Sequence, residues 1–237
     1  MKNILARGGI EFLAVLLGLS GSLWMNDNIK ENEAHKQNEE ILTRLYHNLK
    51  SDSIDGTWNK KAYERAIKGS KNIIKWCDMN PNFSMVNDSI EKDISAMLIA
   101  VWFGHNNEEY NSLKNSGKMH LIKNKNLIRD LHSYNSYLEW SDYMDADAWK
   151  YSYEEIVPFL SNYGNELYLH RDKELRKKNR VFGPYPKINL TKLPDIEKLR
   201  FYASHKLWYH EFQLRAYVGL VKTVSNLRKL LRQELDL

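Results

Sequence analysis

Between Ile10 and Met25 the chain is almost uninterruptedly apolar, with Lys2 and Arg7 ahead of it and Asn26-Asp27-Asn28 directly behind. This is the pattern of a membrane-entry segment, and two fates fit it. A cleaved signal peptide needs a basic start, a short apolar core and small residues before the cut, which Ser20 and Ser22 supply. A retained anchor needs about 17 to 25 mostly apolar residues, and Ile4 to Met25 reaches that length with Arg7 and Glu11 tolerated near one end. Three features favour the anchor: Trp24 in the position of an interfacial aromatic, the small residues Ala14, Gly18 and Ser22 at four-residue spacing, and a polar helix continuing from Asn26. Lys2 and Arg7 hold the N-terminus in the cytoplasm, so the rest of the chain is expected in the periplasm or outside the cell.

Glu11 lies just inside the apolar run. One helical turn from Arg7, it is expected to pair with that side chain near the headgroups; the sharper alternative is an ion or proton site at a subunit interface. Ala14, Gly18 and Ser22 form a small-residue face that lets two anchors approach closely. A homo-oligomer, dimer or trimer, is expected from that face.

The division that follows is an anchor at 1–27 and an exported domain at 28–237. With 5 Pro and 11 Gly in 237 residues, the domain suits long helices rather than short strands joined by frequent turns. The fold class expected is all-α, a bundle of long helices behind a transmembrane helix. Cys77 is the only cysteine, so no intramolecular disulfide is available. Beside Trp76 on an apolar stripe, it reads as a small core residue rather than a nucleophile.

From Ile29 to about Cys77 there is no proline. Ile41, Leu42, Leu45 and Leu49, then Ala62, Ala66, Ile67, Ile73 and Ile74, recur at helical spacing. Lys30 to Glu40 has little to bury and reads as a solvated stalk, and a bend is expected near Ser51 to Gly56. Asn80-Pro81-Asn82 ends this helix. Asp88-Ser-Ile-Glu91 has the form of an N-cap and capping box, opening a helix that runs through buried Ile94, Met97, Leu98, Val101 and Trp102 to Gly104. A short helix spans about Asn107 to Ser116. Another starts at Asn124 or Lys125 and passes Leu127, Ile128, Leu131, Tyr134 and Leu138 toward Trp149. The region from about 166 to 193 is irregular and basic. A final helix runs from Pro194 with Leu214, Val218, Val221, Val224, Leu227, Leu231 and Leu235 as its apolar stripe.

Glu11, Asn26-Asp27-Asn28, Leu42, Leu45, Leu49 and above all the segment Tyr110 to Asn124, with Leu113-Lys-Asn-Ser-Gly117 and Leu121-Ile-Lys-Asn124, carry a resemblance. The chain resembles a family of uncharacterised single-pass membrane proteins widespread in Bacteroidota. That family has a Gly-Glu before its membrane helix, whereas here Gly9-Ile10-Glu11 carries one inserted residue. The resemblance implies an anchored helical protein and brings no activity with it.

Chemistry is sparse. Glu139, Asp142, Asp145 and Asp147 crowd one stretch and could offer oxygen ligands to a divalent cation, but helical carboxylates rarely converge, and a solvated acidic face is the expected reading. His205 and His210, five apart, do not share a helix face, and no zinc motif accompanies them. No cofactor-binding, metal-binding or catalytic set is therefore expected. The net charge of +5 is concentrated near Arg171, Lys173, Arg176, Lys177, Lys178 and Arg180 rather than along a groove-reading helix. An anionic lipid, lipopolysaccharide or an acidic partner protein suits such a patch better than nucleic acid, and a plain solvated loop suits it too.

The expected role is a scaffold or interaction protein of the inner membrane, with an accessory or signal-transducing subunit of a larger inner-membrane complex second and a membrane-associated enzyme third. Ser116 and Gly117 are expected to close one helix through a left-handed glycine, and Asn124 to cap the next. Replacing Gly117 by Val is predicted to lower stability by more than about 1 kcal/mol; an unchanged melting temperature would contradict the left-handed assignment.

Overall fold

The computed structural model describes residues 2–167 and 187–236, with the side chains of 2–11, 14, 166, 167 and 187 excepted. Helix α1 (Lys2–Cys77) runs without interruption for 76 residues, on the order of 114 Å at 1.5 Å per residue. The bend expected near Ser51 to Gly56 is therefore absent as a helix break. Gly56 is tolerated because α1 packs there against a neighbour, its missing Cβ lying 3.2 Å from Val221 and 3.4 Å from Leu220. Every described side chain from Phe12 to Asp27 is exposed. Among the described residues, no helix is long and apolar enough to cross a membrane; Glu11 and Ala14 lie outside the described side chains.

The remaining elements fold back along the second half of α1. They are α2 (Asp88–Met97), α3 (Glu108–Asn115), α4 (Lys125–Lys150), a π-helical turn (Tyr151–Ile156), α5 (Val157–Ser161) and α6 (Ile196–Glu234). The fold is thus dominated by helix, as the low Pro and Gly content requires. Pro158 opens α5. It has no N–H to return to the carbonyl four residues back and its ring crowds that carbonyl, which accounts for the widened turn just before it.

Two short strands, β1 (Gly164–Leu167) and β2 (Lys187–Leu190), pair antiparallel, Gly164 opposite Leu190. They bracket the basic stretch expected to be irregular. Arg171, Lys173, Arg176, Lys177, Lys178 and Arg180 lie outside the described residues.

The core has two apolar halves. One gathers Leu42, Leu45 and Leu49 of α1 with Leu127, Leu131 and Leu138 of α4 and Leu220, Val224, Leu227 and Leu231 of α6. The other gathers Ile73, Trp76 and Cys77 with Ile94, Met97, Phe159, Leu160, Ile188, Leu199 and Ala203. Burial pushes the Cys77 thiol up to about 11, so it is inert packing.

Three expectations need correction. The stripe of α6 is rotated, with Tyr217 and Leu220 buried while Val218 is exposed, because α6 fits into the seam between α1 and α4 and not against a single partner. The cap of α2 is Asn87, which accepts from Ser89 and Ile90 N–H. Glu91 does not return to the helix start as a capping box would; its carboxylate accepts the Leu190 N–H of β2 at 2.8 Å. Finally, α2 stops at Met97 and does not reach Gly104, and Trp102 is exposed.

Helix α2 sits close on α1 at Gly69, where an added Cβ would meet Ala96 Cβ and Asp93 O, each at 2.7 Å. Gly69→Ala is predicted to destabilise by about 1–3 kcal/mol despite its better helix propensity. Urea unfolding that returned a more stable variant would show that the two helices are free to separate.

Candidate functional site

Leu98 to Asn107 is neither helix nor strand, yet Leu98, Ile99, Val101 and Phe103 are almost fully buried. Irregular backbone inside a protein must find partners for its N–H and C=O groups or lose their hydration without return. Here side chains from three helices supply them. From α1, Asn59 donates its amide N–H to Trp102 O at 3.1 Å, and Asp55 accepts Gly104 N–H at 2.7 Å. From α4, Asp145 accepts Phe103 N–H at 3.0 Å. From α6, His210 donates from Nε2 to Ile99 O at 3.1 Å, and Lys206 Nζ points at the same carbonyl from 3.4 Å.

These groups are held in turn. Lys206 Nζ donates to Ser152 Oγ at 2.7 Å, and Ser152 sits on the π-helical turn with its hydroxyl bonded back to Ala148 O. Ser70 Oγ approaches His210 Nδ1 at 3.5 Å. With Nε2 donating and Nδ1 facing a hydroxyl, His210 is a neutral imidazole, and burial holds its pKa well below the usual histidine value. Tyr217 donates to the Asp145 oxygen that also receives Phe103 N–H, at 2.9 Å, while the other oxygen of Asp145 is without a partner among the described residues. Tyr134 donates to Asp52 at 2.8 Å. His105 faces both oxygens of Asp142 at 3.1 Å.

Desolvation sets the electrostatics. It raises Asp145 to about 7 and Asp52 to about 6, in each case against a hydrogen bond that lowers it. Asp55 is raised for the same reason, partly offset by the Gly104 N–H. Lys206, fully buried and with no ion-pair partner among the described residues, falls to about 7. Many of its donors and acceptors are engaged with the backbone of Leu98 to Asn107, while Asn59 Oδ1, Asp145 Oδ1 and Gln213 Nε2 have no partner among the described residues.

The residues singled out earlier fall elsewhere. Gly117 has φ +69 and follows α3, with Ser116 as the C-cap. Asn124 caps α4, accepting from Asn126 and Leu127 N–H. Gly18 and Ser22 lie on the exposed part of α1, and an added Cβ at Gly18 would meet nothing within 4 Å. Of the four carboxylates read as a solvated face, Glu139, Asp142 and Asp147 are exposed, but Asp145 is not: it is 0% exposed because Phe103 and Tyr217 enclose it. Among the described residues, no group of three His, Cys, Asp or Glu side chains is placed to hold a metal ion.

Asp52, Asp55, Asn59, Lys206 and Tyr217 were not picked out from the sequence. The available signal was on α6, where Lys206, His210, Gln213 and Tyr217 continue, at four- and three-residue steps, the line that begins with Leu199 and Tyr202. Polar residues on a core stripe mark a polar layer between the two apolar halves. No family model matches this chain, and neither a curated protein nor a solved structure does.

Lys206 gives a pH test. Its folded pKa, about 7, lies below its ordinary value of 10.5; the unfolded chain therefore binds more protons between those limits, and stability rises with pH across that window. The contribution is complete above about 10.5 and is lost as pH falls toward 7. One proton corresponds to at most about 1.4 kcal/mol per pH unit. Lys206→Met is predicted to flatten this slope between pH 7 and 8.5 and to be at least as stable as wild type at pH 7, as measured by urea titrations at each pH. Parallel wild-type and variant slopes would show that Lys206 stays charged in the folded protein.

Proposed function

We propose that this chain is a self-associating scaffold protein anchored in a membrane by the N-terminal part of α1. The observation that carries the reading is the state of that part: from Phe12 to Met25 the described side chains are apolar or small, and Phe12, Leu17 and Trp24 are 66%, 69% and 70% exposed. A helix with apolar residues on all sides is stable when something apolar surrounds it. Phe12 to Met25 covers only about 21 Å of a hydrocarbon core about 30 Å thick, so the anchor draws on residues 4–11 as well, with Trp24 at the far interface.

The resemblance to single-pass membrane proteins of Bacteroidota supports the same placement. Lys2 and Arg7 put the N-terminus in the cytoplasm and the helical domain in the periplasm. The open space at Gly18, on the same face as Ala14 and Ser22, suits close approach of a second anchor. The polar layer of the domain engages the backbone of Leu98 to Asn107, a structural use that accords with a scaffold. An accessory subunit of a larger inner-membrane complex would use the same anchor with a different neighbour.

Full-length protein in native membranes is predicted to stay in the pellet after carbonate washing and to release into the supernatant when Leu16 and Leu17 are both changed to Asp. Gly18→Leu keeps the segment apolar and is predicted to reduce cross-linked dimer or trimer. Wild-type protein in the supernatant would overturn the anchor. Identical cross-linking of wild type and Gly18→Leu would remove the small-residue face as the contact.

A further inference from the structure

On the outer side of the domain, α4 and α6 carry a continuous line of rings. Tyr137 and Trp140 lie with centroids 5.3 Å apart, Trp140 and Phe212 5.8 Å, and Phe212 stacks on Trp208 at 6.1 Å with 15° between planes. Trp208 continues to His205 at 6.2 Å, and His205 to Tyr151 at 4.5 Å. Tyr137 and Tyr151 pack partly against the core, whereas Trp140 and Trp208 are exposed. Trp208 is 61% exposed and Phe201, two helical turns away on the same face of α6, is 65% exposed. Contiguous aromatic surface of this kind is uncommon outside interaction sites, and Trp and Tyr are the residues that most often dominate binding energy.

Charge selects the occupant. Asp147 lies within electrostatic reach of the Tyr209 hydroxyl and Glu155 within reach of Tyr151, each contributing to an upward shift of the phenol that burial begins. Glu154 is exposed beside them. None of the three carboxylates has an ion-pair partner among the described residues. The chain as a whole carries +5, so this strip runs against the overall sign. Exposed rings near unpaired carboxylates favour cations, above all the flat guanidinium of Arg, which stacks on an indole while its N–H groups meet a carboxylate. An anionic bilayer or a polyanion would be repelled from the same place.

We propose that the aromatic seam of α4 and α6 is a docking surface for a basic protein segment, whose Arg and Lys side chains stack on Trp140 and Trp208 and pair with Asp147 and Glu155. The attraction is local, since a net charge of +5 opposes non-specific association with a polycation. It does not depend on whether α1 enters a membrane.

The test uses full-length protein in mild detergent and a dye-labelled octa-arginine peptide followed by fluorescence anisotropy at low salt. Saturable binding is expected, weakened about tenfold or more by Trp208→Ala and about threefold or more by Asp147→Asn with Glu155→Gln. All three positions are exposed, so unchanged thermal unfolding verifies that the variants are folded. Absence of binding overturns the proposal, as does binding that neither variant weakens. A change in sedimentation of Trp208→Ala without loss of peptide binding would make the face a contact between copies, and tighter binding of octa-glutamate would reverse the assigned charge.

Discussion

The domain depends on one constraint: ten residues without regular structure, Leu98 to Asn107, lie between its helices, and their main-chain groups must be matched inside the protein. Asn59, Asp55, Asp145, His210 and Lys206 meet that requirement from three different helices. Because each of these bonds joins a helix to the same short segment, the segment works as a common reference for α1, α4 and α6. Apolar packing alone would leave long helices free to slide or rotate by a turn. A carbonyl that must meet Asn59 and an amide that must meet Asp145 leave much less freedom.

This also explains why a basic and several acidic groups are buried without pairing as ions. Lys206 and His210 both turn toward Ile99 O, and one oxygen of Asp145 toward Phe103 N–H, so each is engaged as a hydrogen-bonding group rather than in an ion pair. Near neutral pH the layer is close to its own titration range, with Asp145 at about 7 and Lys206 at about 7. Neutral forms suit a dry interior, because burying a neutral, hydrogen-bonded group costs far less than burying an ion.

The helices with strong period were legible from residue spacing alone. Leu42, Leu45 and Leu49, and Leu127, Leu131, Tyr134 and Leu138, recur at three and four and are buried as that spacing implies. The end of α2 was not legible. Leu98, Ile99 and Val101 prolong the helical pattern, and nothing local tells the chain to stop at Met97; the decision is made by Asn59 and Lys206, which lie 43 and 107 residues away from the carbonyls they meet. Asp145 was hidden for a related reason. Its neighbours Asp142 and Asp147 are exposed, and only the tertiary positions of Phe103 and Tyr217 separate one aspartate from the others. The strand pair escaped notice because four-residue strands carry too little alternation to stand out from a polar loop.

The uninterrupted course of α1 has a geometrical consequence. Its apolar N-terminal part and the part that carries Asp52, Asp55 and Asn59 belong to one helix, so the heading of the domain about that axis is set by the number of residues between them. At 3.6 residues per turn, one residue added to the exposed stretch from Ile29 to Glu33 would swing the whole domain by about 100° and lift it by about 1.5 Å. Four added residues would come back to within about 40° of the original heading, about 6 Å further out. The length of this stretch, whose side chains touch little, is therefore an angular setting: it determines which way the rest of the molecule looks.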